Sequence, residues 1–282
     1  MKMEFLFPVR LQGVQSQFSD FYVEVMMFNE EYTAAANAAK GKIAYLKRNP
    51  LGYFVLSMLA GMYIGFGVLL IMSVGGQLAG SPATKLAMGL TFGIALSLVV
   101  IAGAELFTGN TLVMSSGLFR HTIRFTDALL LWVMCWVGNL AGSAVLGLVF
   151  HWSGLNSDTT AKFLAGAALG KMTAGIVPLI MRGILCNILV CLAVWCAFRC
   201  KSDAGKLIMV FWCLLAFITT GFEHSVANMT LFSAAVLDPA GTAVSVSGAA
   251  YNLLWVTIGN MIGGILFVSV PYMLSSRSEV SA

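Results

Sequence analysis

The sequence predicts an all-α integral membrane protein with six transmembrane helices, arranged as two three-helix repeats of inverted topology. Three observations predict it. Hydrophobic residues make up 59% of the 282 and charged residues only 10%, where ordinary soluble domains carry about 25% charged residues. Six apolar runs, roughly 51–75, 86–117, 126–151, 164–199, 206–236 and 249–274, are each long enough for a helix to cross the hydrocarbon core, which takes about 20 residues. Lastly, a polar stretch within the second run, Glu105-Leu106-Phe107-Thr108-Gly109-Asn110, is echoed within the fifth by Glu223-His224-Ser225-Val226-Ala227-Asn228. Polar groups at that depth are expensive and mark pathways or cavities.

Residues 1–26 lack the apolar core and small-residue cleavage site of a secretory signal. They are read as an N-terminal extension of unknown origin, with Met26 or Met27 as a candidate start and residues 27–282 as the six-span domain. From Met27 onward the chain reads as a helix whose alanine-rich face suits the membrane surface. Runs two, four and five exceed one crossing. A non-helical break explains the second and fifth, tolerated at membrane depth only where protein or a cavity surrounds it. Run four, holding Lys171 and Arg182, reads as a non-cytoplasmic lead-in followed by one crossing; Arg182 reads as an interface anchor or ion-pair partner. Lys40, Lys42, Lys47, Arg48, Arg120, Arg124, Arg199, Lys201, Lys206 and Arg277 flank the spans on one side, which places both termini in the cytoplasm.

A second echo supports the repeat. Leu131-Trp132-Val133 leads into Gly138-Asn139-Leu140-Ala141-Gly142, and Leu254-Trp255-Val256 leads into Gly259-Asn260-Met261-Ile262-Gly263. With three spans per half, the second half enters the membrane from the opposite side, and sites in such folds lie near the midplane at the repeat interface. The glycines read as close-packing positions between helices.

His224 is the leading functional candidate. Its ring titrates near physiological pH, and in an apolar passage it donates a hydrogen bond to an anion or a proton to a weak acid's conjugate base. Thr108, in the matching segment, both donates and accepts. Glu105 and Glu223 stand at the breaks, where they are expected to brace the loops by accepting backbone N–H groups of the following half-helix. Asn110 and Asn228 are expected to bond loop backbone. Lys171 is either a snorkelling interface lysine or a fixed charge that concentrates anions. The six cysteines form no CxxC pair and have no paired histidine, so no metal and no cofactor is expected. The net charge of +4 sits in short loops, which is no nucleic-acid signature.

The stretches Ala102–Asn110, Cys186–Trp195 and Gly221–Met229 together resemble the formate/nitrite transporter family, over about residues 27 to 275. Trp212–Phe217 and Asn252–Thr257 are most similar to its nitrite-channel branch. The resemblance implies a homopentamer of aquaporin-like protomers, each with its own pore, in the bacterial cytoplasmic (inner) membrane. It also implies that Thr108 points at His224, that Phe92, Leu96, Leu106, Phe107, Val190 and Phe217 form apolar constrictions, that Asn187 is a pore-lining amide and that Lys171 is a vestibule lysine. The expected activity is passive or proton-linked transport of a small monovalent weak-acid anion, nitrite foremost, with formate or hydrosulfide as alternatives; the partners are that anion, protons and the lipid bilayer. A neutral-solute channel is disfavoured because the Asn-Pro-Ala signature is absent, and an intramembrane enzyme because one interior histidine has neither a second histidine nor an aspartate pair.

Overall fold

The computed structural model describes residues 12–156 and 158–276, with side chains from residue 28 onward. Every described element is helical. Helix α1 (Gln12–Arg48) runs unbroken through the boundary drawn at residue 27, so no structural break marks that boundary; residues 1–11 lie outside the described residues. Its alanine-rich face is not spread on a membrane surface. Tyr32, Ala35, Ala36 and Ala39 are buried, and the face packs on the protein so closely that a Cβ on Gly117 would lie 2.6 Å from that of Ala39.

Asn49 caps α2 (Pro50–Gln77) by accepting from the Gly52 N–H, and Pro50 supplies the preorganised first turn. The second span begins as α3 (Thr84–Thr91) and α4 (Ile94–Leu98), passes through a π-helical turn (Val99–Gly103), breaks, and resumes as α5 (Phe107–Phe119). Helix α6 (Phe125–Trp152) completes the first half. The predicted lead-in is α7 (Asp158–Met172), ahead of α8 (Ile176–Arg199). The fifth span is α9 (Asp203–Thr220), a break, then α10 (Ser225–Leu237). The sixth is α11 (Val246–Gly264), a π-helical turn (Ile265–Ser269) and α12 (Val270–Ser275). Among the described residues, six helical segments are long and apolar enough to cross a membrane.

The repeated glycines set how helices pack within each half. A Cβ on Gly142 would lie 1.9 Å from the Met58 carbonyl oxygen, and one on Gly263 would lie 2.4 Å from that of Ile184. Helix α6 therefore lies backbone-to-backbone on α2, and α11 on α8, the close approach that small residues permit.

Candidate functional site

Breaking a helix in apolar surroundings frees backbone groups that must find partners. Both breaks solve this in the same way. The Glu105 N–H donates to the Leu56 carbonyl at 3.1 Å, and the Glu223 N–H donates to that of Arg182 at 3.2 Å. Asn139 Oδ1 accepts from the Phe107 N–H at 2.9 Å, while its Nδ2 donates to the carbonyls of Ser57 (2.7 Å) and Glu105 (2.9 Å). Asn260 repeats the pattern, accepting from the Ser225 N–H at 2.9 Å and donating to the carbonyls of Gly183 (2.8 Å) and Glu223 (2.9 Å). The asparagines of the two Gly-Asn-x-x-Gly motifs are thus the braces of the breaks. In the sequence alone they show only as an echo.

This corrects the expectation for the carboxylates. Since Asn139 and Asn260 already satisfy the first half-helix N–H groups, Glu105 and Glu223 take side-chain donors instead. Glu105 accepts from Lys42 Nζ (2.5 Å), Asn110 Nδ2 (2.9 Å) and the Tyr53 hydroxyl (3.1 Å). Glu223 accepts from Asn228 Nδ2 (2.7 Å) and pairs with Lys171 Nζ at 2.8 Å. Asn110 and Asn228 likewise bond carboxylates and not loop backbone; Asn228 also donates to Asn252 Oδ1 at 2.9 Å. Each break therefore holds a Lys–Glu–Asn set. Lys42, read in the sequence only as a flanking charge, is the counterpart of Lys171. Arg182 is exposed, and its carbonyl accepts from the Glu223 N–H.

His224 stands at the N-cap of α10, where Leu106 stands for α5. Its Nδ1 accepts from the Ala227 N–H at 3.0 Å, and its Nε2 lies 2.9 Å from Thr108 Oγ1. A ring nitrogen that accepts a backbone N–H carries no proton, so the neutral ring holds its hydrogen on Nε2 and donates to Thr108. The threonine hydroxyl sits in the first turn of α5, two residues beyond the position that matches His224. Its own hydrogen remains available. The Phe217 ring lies parallel to the imidazole with centroids 6.0 Å apart, and Phe92 meets Phe217 edge-on at 5.4 Å.

Two cavities approach this centre. One, of about 640 Å³, is lined by Lys85, Lys171, Phe217, His224, Asn228 and apolar neighbours from α2 and α7. The other, of about 280 Å³, is lined by Lys42, Leu96, Leu106, Asn110, Val194 and Lys206 among others. They share no lining residue, and Phe92, Leu96, Leu106, Thr108, Phe217 and His224 are all buried. Phe107 is not brought to this path. It lines an apolar groove of about 870 Å³ bounded by α6, α10 and α11, because it occupies the first helical position of α5 and turns away from Thr108. Val190 and Asn187 are buried in α8 and line neither cavity. Asn187 instead ties backbone together: Nδ2 reaches the Asn260 carbonyl at 2.6 Å, Thr111 Oγ1 at 2.9 Å and the Thr108 carbonyl at 3.3 Å. Its Oδ1 has no partner among the described residues.

Two half-helices that meet nose to nose at a buried polar pair, between two cavities and inside six membrane-length helices, define a polytopic protein built around a narrow path. The family model described as formate/nitrite transporter matches residues 29–274, and the chain belongs to that family. The nitrite transporter NirC of Salmonella typhimurium is 46% identical over 251 residues, covering 87% of this chain and 91% of that protein. The formate channel BtFdhC of Bacillus thuringiensis is 35% identical, covering 80% and 88%. Among solved structures, an FNT family ion channel superposes with a TM-score of 0.84 at 41% identity, covering 88% of this chain and 99% of that one. A pentameric formate channel with formate bound superposes with a TM-score of 0.72 at 28% identity, covering 81% and 98%.

Proposed function

We propose that this chain is the protomer of a homopentamer that moves a small monovalent weak-acid anion, nitrite foremost, across a bacterial cytoplasmic membrane, with both termini on the cytoplasmic side and the two halves inverted. The observation that carries the reading is the Thr108–His224 pair, 2.9 Å apart and buried between the two cavities. The similarity to NirC transporters favours nitrite; the relatives named for formate make that anion the second reading.

An unpaired anion pays a large desolvation penalty among Phe92, Leu96, Leu106 and Phe217. The path lowers it in two ways. Inserting between Thr108 and His224, the anion gains the Nε2–H and the threonine hydroxyl as donors, while α5 and α10 both present their N-termini, whose dipoles favour negative charge. A proton arriving from the vestibule then joins the anion at this pair and removes the charge before it crosses the remaining constriction. The ring does not relay that proton. Its Nδ1 is held by Ala227, so His224 serves as a neutral donor.

The test is uptake into proteoliposomes of pure protein, with and without an inward proton gradient. Nitrite should enter faster than into protein-free liposomes and accelerate with acid outside. Uptake of water without nitrite or formate would sink the reading.

A further inference from the structure

Four lysines line the two vestibules, and three of them are neutralised where they stand. Lys171 pairs with Glu223 at 2.8 Å, Lys42 with Glu105 at 2.5 Å, and Lys206 with Asp203 at 3.0 Å. Lys85 is exposed in the first turn of α3, at the wall of the larger vestibule, and is the only one of the four without an ion-pair partner among the described residues. At a distance, a lysine and carboxylate in contact act as a dipole whose field falls off much faster than that of a single charge. The buried Glu223 therefore cancels most of the long-range attraction expected of Lys171. We infer that Lys85, and not Lys171, is the residue that draws anions into this vestibule, and that the smaller vestibule lacks an equivalent, so capture is stronger on the Lys85 side.

The division of labour follows from position. Lys171 lies deep, beside His224, and holds the carboxylate of the break. Lys85 lies outside, on a short helix framed by Gly80, Ser81 and Pro82, where its charge meets incoming solute through water. A charge in that place raises the local anion concentration without binding tightly, and salt screens it. The inference rests on the proposal that the solute is an anion.

The experiment measures initial nitrite uptake into proteoliposomes at sub-saturating nitrite, at about 10 mM and about 300 mM ionic strength. Those conditions put the Debye length near 30 Å and below about 8 Å. Wild type, Lys85→Arg, Lys85→Gln, Lys85→Glu and the double variant Lys171→Gln with Glu223→Gln are compared, each after its assembly in detergent is verified. At low salt, Lys85→Gln should fall about twofold and Lys85→Glu about fourfold, the effect of removing and of reversing one unit charge roughly 10 Å away in water. Both losses should vanish at high salt, and Lys85→Arg should match wild type. The double variant Lys171→Gln with Glu223→Gln removes the pair without changing the net charge, so any loss in it should be the same at both salt concentrations. Wild-type rates for Lys85→Glu at low salt would overturn the assignment to Lys85, as would a salt-sensitive loss confined to the double variant Lys171→Gln with Glu223→Gln. A wild type that carries no nitrite or formate would overturn the transport reading itself, a failure distinct from either.

Discussion

At the residue scale, the site is an exercise in satisfying backbone that the breaks expose. Removing one brace orphans three groups at once. Asn139→Ala leaves the Phe107 N–H and the carbonyls of Ser57 and Glu105 unpaired, and Asn260→Ala does the same to Ser225, Gly183 and Glu223. A buried unsatisfied group costs about 1–3 kcal/mol, so each variant should lose at least about 2 kcal/mol of stability, read as a lowered midpoint of thermal unfolding in detergent. Unchanged midpoints would mean that water replaces the amide. The buried ion pair makes a sharper case. Lys171→Met strands the Glu223 carboxylate, which typically costs about 3–5 kcal/mol. The double variant Lys171→Met with Glu223→Gln strands no charge and should recover most of that loss; additive losses would show that the pair is not coupled.

At the element scale, two helix pairs depend on glycine to meet backbone to backbone. A side chain at Gly142 would drive into the Met58 carbonyl at 1.9 Å, and one at Gly263 into that of Ile184 at 2.4 Å. Real Cβ atoms cannot approach that closely, so α6 must move off α2 or α11 off α8. Gly142→Val and Gly263→Val should each cost more than the roughly 1–3 kcal/mol of ordinary overpacking, with Gly142→Val the worse. Gly41→Ala is the control: nothing lies within 4 Å of the added methyl, and α1 should gain about 0.5–1 kcal/mol. Comparing the folded yield of the three variants by size-exclusion chromatography checks the order, and equal yields would contradict it.

At the scale of the whole molecule, much was legible because a membrane leaves a chain few options. Length and hydropathy located all six spans, and the two Glu-x-x-x-x-Asn echoes fell on the two breaks, since polar residues at that depth have few other uses. What the sequence hid was partnership. Lys42 read as a flanking charge because nothing in its neighbourhood hints at Glu105, which only the packing of α1 and α2 brings to 2.5 Å. Asn139 and Asn260 read as packing-motif neighbours because their bonds reach other spans. The alanine face of α1 reads as a membrane-surface face because nothing in the sequence marks α5 as its partner, and Phe107 could not be told from Leu106 until the half-helix set their directions.

The same scale holds the assembly and the transport. Native mass measurement of the purified protein should give five times the 30.1 kDa chain mass, and a monomer that still transports would remove the pentamer from the account. The central claim is that an anion crosses by inserting between Thr108 and a neutral, donating His224. The most direct measurement is proton-gradient-driven nitrite uptake by wild type, His224→Asn and His224→Phe in proteoliposomes at two external pH values. Asn caps α10 through its oxygen and offers an amide hydrogen, so the account predicts that it keeps uptake within about tenfold of wild type, with the same acceleration by external acid, while Phe abolishes uptake. An assembled Asn variant that transports nitrite but has lost its pH dependence would show that the proton passes through the ring and would contradict the account.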